Sequence, residues 1–221
     1  MEATELKLDY FKFYDVENQA VQAEISLRGQ FDRRAVPMTV GVLDFFGNPV
    51  SKNGEPVYDR HAHLAWYRGM QPAEPMRRVR GKNQFGKFDI RIANSLGLLV
   101  PTQKVLRGSV FPETLDHYKV YRVVQFEKVP TVTRKLQDQF VTETVRIGPP
   151  FAFAVPVSKM HRERGTTIQN SMAHLLIYQI TPRDFQKRIK VRNQFAKDAT
   201  VAVVRSLFLG APSLKLDWKA L

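Results

Sequence analysis

No cysteine occurs in the 221 residues. Disulfide staples, thiolate metal sites and cysteine nucleophiles are therefore excluded. Long apolar runs are missing as well, since no window approaches the roughly 18 apolar residues of a membrane-spanning helix. The opening "MEATELKLDYFKFYDV" is acidic and lacks a basic start followed by an apolar stretch, so it does not read as a signal peptide. These absences point to a soluble chain whose location the sequence leaves unassigned. Also lacking are a glycine-rich phosphate loop, a Gly-x-Ser-x-Gly elbow and a His-Glu-x-x-His pair. The expectation is a protein that is not an enzyme and holds no cofactor.

Acidic charge is in short supply. The 34 Lys and Arg residues outnumber 21 Asp and Glu, giving a net charge of +13. Up to residue 110 there are 16 basic against 12 acidic residues, and after it 18 against 9. A field of this sign favours acidic partners such as nucleic acid, another polyanion or an acidic surface. The alternative is a solvated basic surface with no specific partner.

Repetition is abundant. Gln-Phe occurs at Gln30-Phe31, Gln84-Phe85, Gln139-Phe140 and Gln194-Phe195, at a period of about 55 residues. A tyrosine in an apolar run precedes each pair (Tyr14, Tyr67, Tyr121, Tyr178), and a Pro-x-x-Lys follows each, ending at Lys52, Lys104, Lys159 and Lys215. Three landmarks in fixed order define four quarters. Odd quarters open with "LDYFKFYDV" and "LDHYKVYRV", even quarters with "AHLAWY" and "AHLLIY", and only the even ones carry Asn-Gln-Phe, at Asn83 and Asn193. The unit is thus an odd–even pair present twice, with boundaries at 1–105 and 115–221 and a Gly- and Pro-bearing linker at 106–114.

Each quarter alternates apolar and polar residues in about three short runs, the period of half-buried strands. Proline and glycine fall mostly between the runs. The reading is an all-β chain of two tandem antiparallel sandwich- or barrel-like domains, each of two pseudo-symmetric three-stranded halves. Only 157–175 looks able to hide a helical turn. Phe31, Phe85, Phe140 and Phe195 are expected as structural repeat markers, core plugs worth roughly 3–5 kcal/mol each if truncated to Ala. The four Pro-x-x-Lys lysines are expected in loops.

The motifs "LDHYKVYRV", "LQDQF", "FAVPVSK", "AHLLIY", "VRNQF" and "GAPSLK" together resemble an uncharacterised all-β domain of bacterial, largely exported, multidomain proteins. That domain reads LDHFKCYRV, DQF, CxPxxK, AHLxCYxV, VRNQFG and LCxPSxK. The resemblance covers about 8–104 and again about 115–215. Where that family places cysteine, this chain has Phe13, Trp66, Val120 and Ile177. The resemblance implies a structural or adhesive module and transfers no catalytic residue.

Two constellations remain. Asp59, His61 and His63 have the i, i+2, i+4 spacing of a strand-borne zinc site. Only His63 has a repeat counterpart, His174, and its flanks offer no ligand, so a structural role is favoured and no metal is expected. The basic runs are the better candidate: Arg78, Arg80 and Lys82 alternate before the first Asn-Gln-Phe, and Arg188, Lys190 and Arg192, with Lys187, before the second. Such faces suit polyanion binding or merely guard strand edges. The functional expectation is a structural or protein-interaction module with protein partners in an assembly, the alternative being nucleic-acid or polyanion binding.

Overall fold

The computed structural model describes residues 6–221. The first five, on which the reading of the N-terminus partly rests, lie outside the described residues. Among the described residues every regular element is a strand: β1 (Tyr10–Gln19), β2 (Ala23–Gly29), β3 (Val36–Lys52), β4 (His63–Met70), β5 (Arg77–Asn83), β6 (Gly86–Lys104), β7 (His117–Phe126), β8 (Thr133–Gln137), β9 (Thr142–His161), β10 (Arg164–Thr166), β11 (His174–Arg192) and β12 (Ala199–Ala220). The segment 157–175 holds no helix; β9 runs on to His161 and turns back as β10. In the fourth quarter the first two strands are one, because "TPRDFQ" offers no turn pair and β11 crosses it with two register shifts.

The antiparallel all-β class follows the sequence pattern, but the two copies share one twelve-stranded sheet rather than forming a sheet each. The linker 106–114 carries no strand, yet pairing runs across it at β6–β7, β2–β9, β1–β12 and β5–β12. The first strand of each quarter (β1, β4, β7 and the start of β11) alternates with the four long strands β3, β6, β9 and β12. Their pairings run in sequence order and close on themselves, β12 returning to β1. Closure leaves these eight strands without open edges through the middle. It is not an even barrel, because register shifts interrupt the ladders and the long strands overrun the ring.

The overrunning ends are held by the middle strand of each quarter. β2 pairs with the start of its own β3 and the end of β9. β5 pairs with the start of β6 and the end of β12. β8 and the second half of β11 repeat the pattern with β9 and β3, and with β12 and β6. Each quarter is therefore strapped to the quarter two places away.

All four first strands send alternate side chains into one cluster, including Phe11, Phe13, Leu64, Trp66, Tyr118, Val120, Leu175 and Ile177. Strands on every side of a closed ring can share a cluster only by pointing inward, so this is the central core. The intervening residues point outward into two further cores, with Tyr14, Ala65 and Tyr67 in one and Tyr121, Leu176 and Tyr178 in the other. Burial on both faces explains the unbroken apolar run of "AHLLIY". Phe13, Trp66, Val120 and Ile177, which stand where the resembled domain has cysteine, all lie in the central core, with Phe13 and Trp66 edge-to-face at 5.8 Å. Apolar packing occupies the place of sulfur chemistry.

Candidate functional site

The repeated landmarks meet across the ring. Phe31 packs edge-on against Tyr121 at 5.6 Å, Phe85 against Tyr178 at 5.2 Å, Phe140 against Tyr14 at 5.3 Å and Phe195 against Tyr67 at 5.1 Å. Each phenylalanine thus plugs the core of the quarter two places on. Edge-to-face pairs of this kind add about 0.5–1.5 kcal/mol beyond area burial.

Polar partners explain why odd and even quarters differ. In the even pair, the Asn83 amide donates to Tyr178 Oη at 3.0 Å and Ser213 Oγ at 3.1 Å, and its oxygen accepts the Phe85 N–H. Asn193 likewise donates to Tyr67 Oη at 3.1 Å and Thr102 Oγ1 at 2.9 Å, and accepts the Phe195 N–H. In the odd pair, charge replaces these neutral contacts. Lys12 lies 2.9 Å from Glu143 and 3.5 Å from Asp138, which also accepts from Tyr14 Oη at 2.7 Å. Lys119 lies 2.7 Å from Glu74 and 3.5 Å from Asp32, and Arg77 joins at 3.0 Å from Glu74. Both lysines have no exposed surface. The even quarters place Ala65 and Leu176 where the odd ones place these lysines, so the buried ion clusters are confined to the odd first strands.

The "LD" that opens odd quarters has its own task. Asp9 accepts the backbone N–H groups of Tyr58 and Asp59 at 2.6 and 2.8 Å, and Asp116 those of Gln169 and Asn170 at 2.7 and 2.8 Å. Burial pulls both carboxyls above the ordinary carboxylate range, against the N–H bonds that lower them. The loops ahead of β4 and β11 are fastened in this way.

The Pro-x-x-Lys lysines are not loop residues. Lys52, Lys104 and Lys159 are buried at or near the ends of β3, β6 and β9, and Lys215 is partly buried within β12. The ammonium of Lys52 sits 5.3 Å from the Tyr10 ring centre and that of Lys104 5.0 Å from Phe140, while Lys159 contacts Gln194. Burial, and then the nearby Lys187, push Lys104 down to about 8. Loss of water around an ammonium disfavours its charged form, and the aromatic face compensates only in part.

The two basic stripes occupy equivalent strands but differ in charge balance. On β5, Arg78 grips Asp89 with Nε at 2.8 and 2.9 Å from its two oxygens, and Arg80 grips Asp217 at 2.9 and 2.7 Å. Lys82 is partly buried opposite Lys87 and Leu214. The preceding Arg77 points inward to the buried ion cluster, a role its neighbours in sequence do not betray. On β11, Arg192 is bidentate to Asp198 at 2.7 Å. Arg188 and Lys190 are exposed, flanking buried Ile189 and Val191, and no carboxylate among the described residues pairs with either. Lys187 stands 5.1 Å from the Phe140 ring centre. The fourth-quarter face therefore keeps free cations that the second-quarter face has neutralised.

A cavity of about 360 Å³ lies beneath the first face, floored by Phe88, Ile90, Leu176 and Tyr178 and edged by Arg80 and Asp217. The carboxylates of Asp89, Glu127 and Asp217 also line it, two of them held by Arg78 and Arg80. Among the described residues no three His, Asp or Glu side chains converge as metal ligands would. His63 is buried and stacks on Phe46 at 5.4 Å, while the Asp59 carboxylate is turned to the His61 N–H. Among the described residues no helix is long and apolar enough to cross a membrane.

No curated protein and no solved structure matches the chain. A family model does match, over residues 63–216, from the start of β4 into β12. The chain belongs to that family, DUF7450, described as a repeat of unknown function.

Proposed function

We propose that the chain is a non-catalytic structural or protein-interaction module, a component of a larger assembly or surface structure. The observation that carries this reading is where the repeated polar groups are directed. Asn83 and Asn193 bond across the even pair, Lys12 lies in a buried ion cluster across the odd pair, and Lys119 reaches both Asp32 across that pair and Glu74 of the second quarter. Groups so engaged hold quarters together and are not poised on a substrate. What remains outside is strand face and strand edge, the surfaces by which β modules join other chains. Cross-linking in the source cells followed by mass spectrometry tests this: a stoichiometric assembly is expected, and recovery as a free monomer under every condition would overturn it.

A second reading, polyanion binding, is favoured by one observation: Arg188 and Lys190 stand exposed without a carboxylate partner. Binding of this kind weakens steeply with salt.

A further inference from the structure

One strand edge is open where its repeat counterpart is covered. Aligning Pro156-x-x-Lys159 with Pro212-x-x-Lys215 superposes the end of β9 on the end of β12. Their partners agree, since Ser158 and Lys159 face Arg28 and Leu27 of β2, while Leu214 and Lys215 face Lys82 and Gly81 of β5. The other edge of β9 is taken by β10, antiparallel over Lys159–His161. Along β12, from Leu214 to Ala220, β5 takes one edge and no strand among the described residues takes the other.

This open segment is also apolar, with Leu216 53% exposed and Trp218 38% exposed. Unpaired backbone donors and acceptors beside exposed apolar side chains form an edge that recruits another strand. The residues along the edge say which strand. If β12 pairs antiparallel with a second copy of itself, centred on Trp218, Asp217 falls opposite Lys219 of the other copy, and the reverse holds by symmetry. Leu216 then falls opposite Ala220. Moving the centre to Asp217 or Lys219 sets like charges face to face, and intermediate registers oppose no charges at all. Centring on Leu216 also gives two opposite-charge pairs, Lys215 with Asp217, but it puts the axis on the residue at the register shift of β12. The Trp218 register gives two opposite-charge pairs and no like-charge pair with its axis on the regular stretch beyond that shift.

We propose that β12 is a self-association edge, through which two copies join antiparallel about a twofold axis at Trp218 into one continuous sheet. This rests on the reading of the chain as an interaction module and gives that module a specific partner, a second copy. The interface is isologous and closes at two copies. The existing Arg80–Asp217 pair is exposed and survives alongside, because a carboxylate accepts from both sides.

The chain has no cysteine, so Trp218→Cys supplies a single reporter at the axis. Opposed Cα atoms there would lie about 4.5–5.5 Å apart, within disulfide range. Sedimentation of the unsubstituted chain is expected to show a monomer–dimer equilibrium. Mild oxidation is expected to give a covalent dimer with Trp218→Cys and not with Phe111→Cys, a surface control. Lys219→Asp and Asp217→Lys are each expected to weaken self-association about tenfold or more, and an equimolar mixture to restore it as a heterodimer. The chain staying monomeric into the millimolar range would overturn the proposal, even if another protein partner were found and the interaction reading stood. Dimers indifferent to both charge reversals would overturn it equally.

Discussion

Asn83 and Tyr178, 95 residues apart, are joined by a 3.0 Å hydrogen bond, and Phe85, two residues beyond Asn83, packs edge-on to the same tyrosine ring. One turn thereby uses an amide and a ring to read a single side chain in the opposite quarter. Tyr178→Phe keeps the ring and removes the acceptor, leaving the Asn83 amide with Ser213 alone. The expected cost is about 1–2 kcal/mol, typical of a buried hydrogen bond lost from one side. Urea unfolding of Tyr178→Phe, Asn83→Ala and the double variant should show non-additive losses, because the two groups share a network.

Buried charge gives a sharper contrast. Lys12→Met leaves Glu143 and Asp138 without their cation in a fully enclosed site and should cost about 3–5 kcal/mol. The triple variant Lys12→Met, Asp138→Asn, Glu143→Leu imitates the even quarters and should recover most of that loss. Denaturant midpoints measure both.

Acid should unfold the protein well before its carboxylates titrate. Burial pushes His63 and His117 down to about 3 and His174 to about 4. Unfolded histidine takes up its proton near pH 6.5, so between there and about pH 4 the unfolded chain binds more protons than the folded one. Stability then rises with pH, by up to about 4 kcal/mol per pH unit when all three sites differ fully. Asp9 and Asp116, raised by burial, act in the opposite sense, holding their protons longer in the folded chain than in the unfolded one. Melting temperature should fall steeply from pH 6.5 to 5, and rise again above about pH 8, where folded Lys104 and Lys159 shed protons that unfolded lysine keeps to about 10.4. A level profile from pH 6.5 to 5 would contradict the buried, neutral state of these rings.

The two basic faces should separate cleanly in a polyanion assay. Arg188→Gln with Lys190→Gln is expected to weaken low-salt binding to heparin or DNA and to lower the salt slope by about 1 per removed contact. Arg78→Gln with Arg80→Gln should change little, since those guanidinium groups already hold Asp89 and Asp217. Equal effects from both faces would show that net charge, not a site, governs binding.

The period of the landmarks made the fourfold plan and the strand class legible in the sequence. It could not show the partner of each landmark, because alternation reveals which side a residue faces and not what lies opposite. Lys104 looked like a turn residue after Pro101, yet it ends a long strand beneath the Phe140 ring. Arg78 and Arg80 looked like free cations, yet Asp217, far along the chain, closes on one of them. The odd–even difference was visible as a change of letters, and its cause, charge facing charge and amide facing hydroxyl, needed the fold.

Pairing each quarter with the one two places away also bears on how the chain folds. The hydrogen bonds of Asn83 and Asn193 across the ring span 91 to 130 residues, so loop closure must precede most of the reward and folding should be slow for its size. A chain half as long, with one odd–even pair, would deprive each phenylalanine of the tyrosine of the quarter two places on, leaving Phe85 only Tyr10 at 6.5 Å. By that logic, one odd–even pair is not a self-sufficient folding unit, and residues 106–114 hold in one polypeptide two halves that complete each other.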